Sequence, residues 1–95
     1  MMKQASVYIL SSRSNKVLYV GVTSQLKQRI WQHKNSVVDG FSKKYHVNKL
    51  VFFEVHQSMT AAITREKQIK RWKRDWKENL IKSMNPNWMD LYDSL

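Results

Sequence analysis

The sequence contains no cysteine, one proline, two glycines and only 7 acidic residues. Without cysteine there can be no disulfide framework and no thiolate metal site. The apolar run nearest the N-terminus, from Val7 to Leu10, is too short for a signal peptide or a membrane span. We therefore expect a cytoplasmic protein with no membrane association. Its residues 1–95 should form one domain with a single modest core.

Because acids are scarce, the formal net charge is +10. Before Glu54 the only acid is Asp39, against nine lysines and arginines, and the last thirteen residues contain two acids and no base. A basic body with a mildly acidic tail indicates a polyanionic partner, most often nucleic acid. The alternative is that the lysines only keep a small protein soluble.

Short runs rich in Val, Ile, Leu and Tyr predict three strands, at Val7–Ser11, Val17–Thr23 and Leu50–Val55. Periodic segments behind polar caps predict two longer helical stretches, Leu26–Asn35 after Thr23 or Ser24 and Thr60–Ser83 after Ser58. A break near Arg74, capped by Asp75, should divide the second stretch. We expect Asn85–Pro86 to begin a short helical turn that ends near Tyr92, and the segment from Val37 to Asn48 to be a loop.

The register of the first two strands decides where two tyrosines lie. With a four-residue loop, Ser12–Asn15, Ser11 would pair with Lys16 and Tyr8 would lie opposite Tyr19. Side chains alternate across a sheet, so both tyrosines would project from the same face. A loop longer by one residue would put them on opposite faces.

Both long helical segments carry polar residues on a face that should be apolar. The inner stripe of the first is Leu26, Arg29, Ile30 and His33, whereas Trp31 points away from it. The inner stripe of the second helix contains one charged residue, Glu66, among the apolar residues Met59, Ala62, Ile63 and Ile69. A packing face with four-residue spacing continues this stripe and consists of Trp72, Trp76 and Leu80. Polar groups at such positions indicate a site.

These residues resemble the GIY-YIG nuclease superfamily over about Ala5 to Tyr92. The resemblance rests on Tyr8 in the first strand, the Tyr19-Val20-Gly21 triplet, Arg29 and His33 on the next helix, and Glu66 after the third strand. It is closest to small standalone bacterial members, and extends to the catalytic domains of an excision-repair nuclease subunit and of phage homing endonucleases. It implies an α+β fold with a three-stranded antiparallel sheet flanked by helices, in the order β-β-α-β-α-α, and a short C-terminal helical turn.

The resemblance also implies a divalent metal, Mg²⁺ or Mn²⁺, and makes Glu66 its ligand. Magnesium is commonly held by one or two carboxylates together with water and substrate phosphate, so a single glutamate is chemically sufficient. The structural alternative is that Glu66 forms an ion pair with Arg65 or Lys70 on a solvated helix face.

The remaining motif residues have implied roles at a phosphodiester. Arg29 would stabilise the charge on the phosphate, unless it forms a structural ion pair with Glu54. Tyr8 or Tyr19 would orient or deprotonate the attacking water. Because a free phenol has a pKa near 10, a base role needs nearby cations to stabilise the phenolate. His33 would share the base role or hydrogen-bond a phosphate.

The chain departs from the family pattern at Ser6, where the motif has glycine. A late asparagine expected near the metal matches either Asn79 or Asn85, and Asn85 has a local explanation as a helix cap. Gly21 has no side chain and would allow close approach of a helix or of the phosphate backbone.

Further contacts with nucleic acid are expected from basic and aromatic residues around the site. They are Lys27, Lys34, Lys43, Lys44, Tyr45, Arg71, Lys73, Arg74 and Lys77. With no separate sequence-reading domain, binding should be salt-sensitive and depend mostly on shape. The substrate would be structured or single-stranded DNA, with RNA as an open alternative.

The leading hypothesis is a monomeric, metal-dependent DNA endonuclease of low sequence specificity, acting in DNA repair or recombination. The competing hypothesis is a nucleic-acid-binding module on the same fold that cleaves weakly or not at all.

Overall fold

The computed structural model of the protein describes residues 4–35, 40 and 44–95. Three strands and three helices lie wholly within these described residues, in the order that the sequence predicts. They are β1 (Ala5–Ser11), β2 (Leu18–Thr23), α1 (Leu26–Lys34), β3 (Lys49–His56), α2 (Met59–Arg71), α3 (Arg74–Met84) and a C-terminal 3-10 turn (Tyr92–Ser94). The predicted α+β class is therefore confirmed. No helix in the described part of the chain has the length and apolar character needed to cross a bilayer.

The helix boundaries differ from the prediction at the start of α1 and after α2. The N-cap of α1 is Gln25, which makes no side-chain cap bond, and not Thr23 or Ser24. Ser58 caps α2, since its hydroxyl accepts the backbone N–H of Ala61 at 3.1 Å. The break after α2, however, falls at Trp72 and Lys73, both extended, and Lys73 occupies the N-cap position of α3 without a side-chain cap bond. Asp75 lies inside the first turn instead, where its negative charge interacts favourably with the positive end of the helix dipole.

The segment predicted as a loop, Val37–Asn48, lies partly outside the described residues. Where it is described, Lys44 is helical, and its backbone N–H donates to the carbonyl of Gly40 at 3.0 Å. The loop prediction is therefore wrong at Lys44. Gly40 has φ of +108°, a conformation that glycine adopts without the cost that a side chain would add.

The sheet has the order β2-β1-β3, and both neighbours of β1 run antiparallel to it. The predicted register is wrong by two residues, because Tyr8 pairs with Gly21, and Tyr19 with Leu10. The connection is six residues long, closed by the N–H of Ser12 on the carbonyl of Val17 at 3.0 Å. Since side chains alternate with a period of two, a shift of two leaves both tyrosines on one face.

Each face of the sheet is covered by different helices. On one face, Val7, Ile9 and Val20 pack with Ala62 and Ile69 of α2, and with α3. On the other, which we call the α1 face, the core consists of a buried tyrosine and aliphatic residues from β1, α1, β3 and the segment just before β3. C-terminal residues pack against it. These core residues are Tyr8, Leu10, Ile30, Val47 and Leu50.

The inner stripe of α2 is narrower than the sequence predicts. Ala62 and Ile69 are fully buried, but Met59 and Ile63 are each 37% exposed. On the following helix, Trp76 is 59% exposed and stacks edge-on against Trp72 at a ring distance of 5.9 Å. Trp72 and Leu80 are partly buried and pack against the core, as the four-residue spacing predicts, whereas Trp76 lies on the surface.

Asn85 ends α3, and it does not begin the helical turn that the sequence predicts. Its side-chain nitrogen donates to the carbonyls of Val51 at 3.1 Å and Met89 at 2.7 Å, and its oxygen accepts the N–H of Met89 at 3.0 Å. Residues 86 and 87 form a turn, and helical structure returns only at Tyr92–Ser94. Asn85 thus ties the C-terminal segment to β3.

Replacing Asn85 with alanine should destabilise the fold because it leaves the buried carbonyl of Val51, and part-buried backbone groups of Met89, without their bonds. We expect Asn85→Ala to lower the free energy of unfolding by about 2–4 kcal/mol. The matched control is Asn79→Ala on the exposed side of α3, which should change it by less than about 0.5 kcal/mol. Urea denaturation measures both, and equal effects would contradict the role given to Asn85.

Candidate active site

The ring of Tyr8 lies across Gly21, its pairing partner on β2. A Cβ built on Gly21 would stand 2.4 Å from both Cζ and the hydroxyl oxygen of Tyr8, a distance at which the ring would have to move. From the sequence, we expect a helix or the phosphate backbone to approach Gly21 closely. In the structure, Tyr8 makes that close approach. The missing side chain of Gly21 lets the phenol reach across the neighbouring strand.

Helix α1 covers the Tyr8 ring from above and supplies two polar side chains. Ile30 and His33 are its buried residues, and Nε2 of His33 lies 3.1 Å from the Tyr8 hydroxyl in a buried hydrogen bond. The Tyr8 oxygen also hydrogen-bonds Arg29. A guanidinium can only donate, so the phenol oxygen accepts from Arg29 and its own proton is available to Nε2 of His33.

Burial controls the protonation of the phenol. Desolvation raises the pKa of Tyr8 to about 12, while the hydrogen bond to Arg29 lowers it in part and the charges of Tyr19 and Glu66 raise it further. Tyr8 is 1% exposed. At neutral pH it is therefore a neutral phenol that donates and accepts hydrogen bonds, and water has almost no access to it.

His33 is held in its neutral form by the same surroundings. Desolvation lowers the pKa of His33 to about 4, and the positive charge of Arg29 lowers it as well. The imidazole is 5% exposed. It is therefore an uncharged acceptor for Tyr8 near pH 7, which fixes the orientation of both rings.

Tyr19 is the more accessible tyrosine of the pair. Its ring centroid lies 6.3 Å from that of Tyr8 and 5.5 Å from that of His33, so the three rings form one cluster. Tyr19 is partly exposed, whereas Tyr8 is buried. The cluster therefore presents Tyr19 toward solvent.

Glu66 enters from the middle of α2. Its charge raises the pKa of the Tyr8 phenol, which puts the carboxylate within electrostatic range of the Tyr8 hydroxyl. The side chain is 13% exposed, and Lys70 lies one turn further along the helix with Nζ 3.5 Å from Oε1. The ion pair with Lys70 considered from the sequence is present. Glu54, by contrast, accepts from Nε of Arg65 at 2.8 Å.

Arg29 borders a cleft of about 300 Å³ beside the turn from β2 into α1. Nη1 of Arg29 donates to Oε1 of Gln32 at 3.3 Å. Gln25 and Gln28 line the same cleft. Sequence reasoning missed these glutamines, although Gln25 lies four residues before Arg29 and Gln32 three residues after it, a spacing that puts side chains on one flank of a helix.

As a metal site, this cluster fits only a sparsely ligated ion. Among residues 4–35, 40 and 44–95, no group of three or more His, Asp or Glu side chains is placed to hold a metal. Glu66 is a single, largely buried carboxylate, which is compatible with Mg²⁺ bound mainly by water and substrate phosphate. The described residues do not form a dedicated cage of protein ligands for a metal.

The basic residues expected to contact nucleic acid divide into exposed and engaged groups. Lys27, Arg71 and Lys73 are exposed. Arg74 instead bonds the backbone carbonyls of the β1–β2 loop, with Nη1 2.5 Å from the Lys16 oxygen, and pairs with Glu78. Its guanidinium thus links α3 to the β1–β2 loop through hydrogen bonds.

The other expected contacts that the structure describes are engaged with neighbouring groups. Lys34 forms an ion pair with Asp90, and Lys44 stands over the ring of Tyr45 at 5.4 Å from its centroid. Lys43 lies outside the described residues. Lys77 is partly buried, with Nζ 3.5 Å from the carbonyl of Lys70.

The two candidate asparagines are not brought to Tyr8. Asn85 is engaged with the backbone next to β3, and Asn79 is exposed on α3, a helix that contacts β3. β3 is the edge strand on the far side of β1 from Tyr19. Ser6 is buried, and its hydroxyl donates to the carbonyl of Gln4 at 3.4 Å.

An arginine beside an open cleft, on a strongly basic domain, is typical of sites that bind phosphate groups. The family model of the GIY-YIG catalytic domain matches residues 4–79 of this chain. The chain therefore belongs to the GIY-YIG family, a nuclease family, as the sequence predicts.

Curated relatives carry the name UPF0213 protein. The one from Syntrophus aciditrophicus is 36% identical over 93% of this chain and 100% of its own length. Those from Clostridium perfringens and Haloquadratum walsbyi are 36% and 31% identical, over 81% and 78% of this chain and 82% of theirs. A solution NMR structure of a UPF0213 protein from Bacillus halodurans has the same fold, with a TM-score of 0.58 and 23% identity over 92% of each chain.

Adding a methyl group at Gly21 should disturb the contact on which the cluster depends. We expect Gly21→Ala to cost about 1–3 kcal/mol of stability, because the Tyr8 ring must shift to admit it. In a Tyr8→Leu background the same substitution should cost less, since the ring is gone. A double-mutant cycle by urea denaturation measures this coupling. If the two substitutions have additive effects on stability, the Tyr8 ring is not the group that a side chain at Gly21 would displace.

The low pKa of His33 predicts a pH-dependent stability. A histidine side chain in water has a pKa of 6.5, whereas the pKa of His33 in the folded protein is about 4, so between these values the unfolded chain binds more protons. Stability should be full above pH 6.5, fall as pH drops toward 4, and lose on the order of 3 kcal/mol through this group. His33→Gln should flatten that slope in urea denaturation at several pH values. An unchanged slope would contradict the buried, neutral imidazole.

Proposed function

We infer that this protein is a divalent-metal-dependent endonuclease that hydrolyses DNA phosphodiester bonds with low sequence specificity. The observation that carries the proposal is the convergence of groups from three elements on one buried phenol. Tyr8 hydrogen-bonds His33 and Arg29 of α1, and the charge of Glu66 on α2 raises the pKa of its phenol. Burying these polar groups costs stability, so a structural explanation alone accounts poorly for their assembly.

In this proposal Arg29 binds the scissile phosphate. The guanidinium borders the open cleft at the start of α1, and its planar donors match phosphate oxygens. As negative charge grows on the phosphate during the reaction, that interaction strengthens and lowers the barrier. A phosphate at Arg29 also offsets the positive charge that helps to hold the pKa of His33 low.

The two tyrosines have different tasks. Tyr8 is a positioning residue, because it is buried and has its hydroxyl engaged by His33 and Arg29. Tyr19, the partly exposed member of the cluster, is the hydroxyl that contacts the attacking water. The buried hydrogen bond between Tyr8 and His33 keeps the ring cluster rigid, and so fixes the Tyr19 hydroxyl relative to Arg29.

The metal ligand in this proposal is Glu66. A bound Mg²⁺ or Mn²⁺ would polarise the phosphate and neutralise developing charge. Glu66 supplies one carboxylate ligand of the kind that these ions prefer, and its burial keeps the carboxylate oriented. Lys70, 3.5 Å away, would balance the carboxylate until a cation displaces it.

The wider setting belongs to the same proposal. Exposed basic residues such as Lys27, Arg71 and Lys73 would hold the DNA backbone in a salt-sensitive manner. We propose that the protein acts as a cytoplasmic monomer on structured or single-stranded DNA, in repair or recombination, with RNA as an alternative substrate.

One observation favours a second candidate function, a binding module that does not cleave. Glu66 already has a cationic neighbour in Lys70, and among the described residues no second carboxylate joins it in a metal-binding group. If that pair is permanent, the basic surface would bind nucleic acid without hydrolysing it.

Cleavage assays with Mg²⁺ or Mn²⁺ on branched and single-stranded DNA test the proposal. Glu66→Gln should lose cleavage by about 100-fold or more, because it removes the metal ligand, while its DNA binding in EDTA stays unchanged. The matched control is Glu78→Gln, a glutamate on α3 paired with Arg74, which should cleave at the wild-type rate. If wild type binds these substrates and cuts none of them, the binding module is the better account.

The division of labour between the tyrosines has its own test. Tyr19→Phe should lose roughly 100-fold in kcat with little change in stability. Tyr8→Phe should lower stability by about 1–3 kcal/mol, since it removes the phenol that bonds a buried imidazole nitrogen. Single-turnover cleavage and thermal unfolding of both variants measure this. A Tyr19→Phe variant with the wild-type rate would remove Tyr19 from the reaction.

A further inference from the structure

A second opening lies on the α1 face, at the end of the sheet that α1 leaves uncovered. It is a groove of about 770 Å³, within the range of about 300–1,000 Å³ that small-ligand sites occupy. Its aromatic and aliphatic surfaces come from Trp31, Phe53, Val55, Tyr92 and Leu95. Trp31 and Val55 are 50% and 52% exposed, which is unusual for large apolar side chains next to one another.

The register of the sheet explains why this surface is open. Ser6 pairs with Val55, and Tyr8 with Phe53, and paired residues project from the same face. Helix α1 covers the Tyr8 end through Ile30 and His33. Beyond it, Ser6 has only a small side chain and lies buried beneath the groove, whereas its partner Val55 stays half-exposed.

The groove is continuous with the Arg29 cleft. Ser24, Gln25 and Gln28, at the turn into α1 and on its first helical turn, line both openings. One flank of the helix presents Arg29 and Gln32 to the cleft, and the other presents Lys27 and Trp31 to the groove. A chain bound at Arg29 therefore needs to cross only the beginning of α1 to reach Trp31.

We propose that this groove, in an assignment that rests on the proposed function, holds an unstacked nucleobase of the strand whose phosphate lies at Arg29. A nucleobase has two apolar faces and a polar edge. The exposed indole of Trp31 offers a stacking surface, and Gln25 and Gln28 offer amide donors and acceptors at the margin. Lys27 adds a positive charge for the backbone of the same strand.

Charge and continuity favour this occupant over others. A second copy of a chain with formal charge +10 would be repelled from a rim that carries Lys27. A purely apolar ligand would make no use of the exposed amides of Gln25 and Gln28 or of the charge of Lys27. A base attached to a polyanion satisfies the apolar walls, the amides and the charge together.

The consequence is a preference for DNA in which a base is free to leave its stack. In a continuous duplex, occupying the groove would require a base to be unpaired and unstacked, which costs a few kcal/mol. Single strands, flaps and junction ends do not carry that cost. Base–aromatic stacking of this kind changes affinity by roughly 5- to 100-fold per base.

The experiment compares Trp31→Ala with Trp76→Ala, a second exposed tryptophan that lies on α3. The probes are a fluorescent single-stranded 12-mer of thymidines and a blunt duplex of the same length, titrated in EDTA so that nothing is cleaved. Trp31→Ala should weaken single-strand binding by about 10-fold and leave duplex binding unchanged. Trp76→Ala should behave as wild type, and Trp31→Phe should retain most of the single-strand affinity because it keeps an aromatic face.

Each other outcome overturns the assignment in a recognisable way. Equal loss on single strand and duplex, or no loss in Trp31→Ala, would show that no base stacks in the groove. If wild type sediments as a dimer and Trp31→Ala as a monomer, the occupant is a second copy and the proposal is wrong. Circular dichroism melts of all variants verify that they are folded.

The same titrations separate this proposal from the proposed function. If wild type binds and cleaves DNA while Trp31→Ala matches it on every probe, only the groove assignment fails. If wild type binds neither the single strand nor the duplex, the nuclease proposal fails, and the groove assignment fails with it.

Discussion

The contact between the Tyr8 ring and the backbone of Gly21 is the constraint on which the candidate site depends. Because a Cβ at Gly21 would lie 2.4 Å from the phenol, no other residue lets the ring cross to the edge strand. The hydroxyl then meets Nε2 of His33 at 3.1 Å, in the range of a normal hydrogen bond. Arg29 and Glu66 act electrostatically on the same oxygen. A single glycine thus determines where helix α1 and helix α2 bring their polar groups together.

Burial then assigns different chemistry to similar residues. Desolvation keeps Tyr8 and His33 neutral, so together they form a rigid, uncharged support and leave Arg29 as the cation that meets the cleft. That cleft and the Trp31 groove meet at the start of helix α1, and the helix carries a polar flank toward one and an aromatic flank toward the other. Phosphate and base recognition would therefore be divided between two sides of one short helix, only 9 residues long.

The sequence could predict the order of elements and the shared face of the tyrosines because both depend on local periodicity. Tyr8 and Tyr19 share a face although the predicted register was wrong, since an error of two residues preserves alternation. The polar residues at Arg29 and His33 were detectable as exceptions on an apolar stripe. Their partners could not be ranked from sequence, because burial separates Tyr8 from Tyr19 only in the folded sheet.

Long-range side-chain bonds to the backbone are a second kind of feature that the sequence did not predict. The guanidinium of Arg74, a residue expected to contact DNA, bonds carbonyls 58 and 59 positions earlier. Asn85 looked like a helix cap, and it bonds a strand carbonyl 34 positions away. Such bonds leave no periodic signal.

The most direct measurement of the account is an NMR titration of His33 with and without a short single-stranded oligodeoxynucleotide, in the absence of divalent metal. Without DNA, the account predicts a pKa of about 4. With DNA bound, a phosphate at Arg29 should raise the pKa of His33, because it offsets the positive charge beside the imidazole. A pKa near 6.5 in the unbound protein, the ordinary value for histidine, or no change on saturation with DNA, would contradict a phosphate site built around Tyr8, His33 and Arg29.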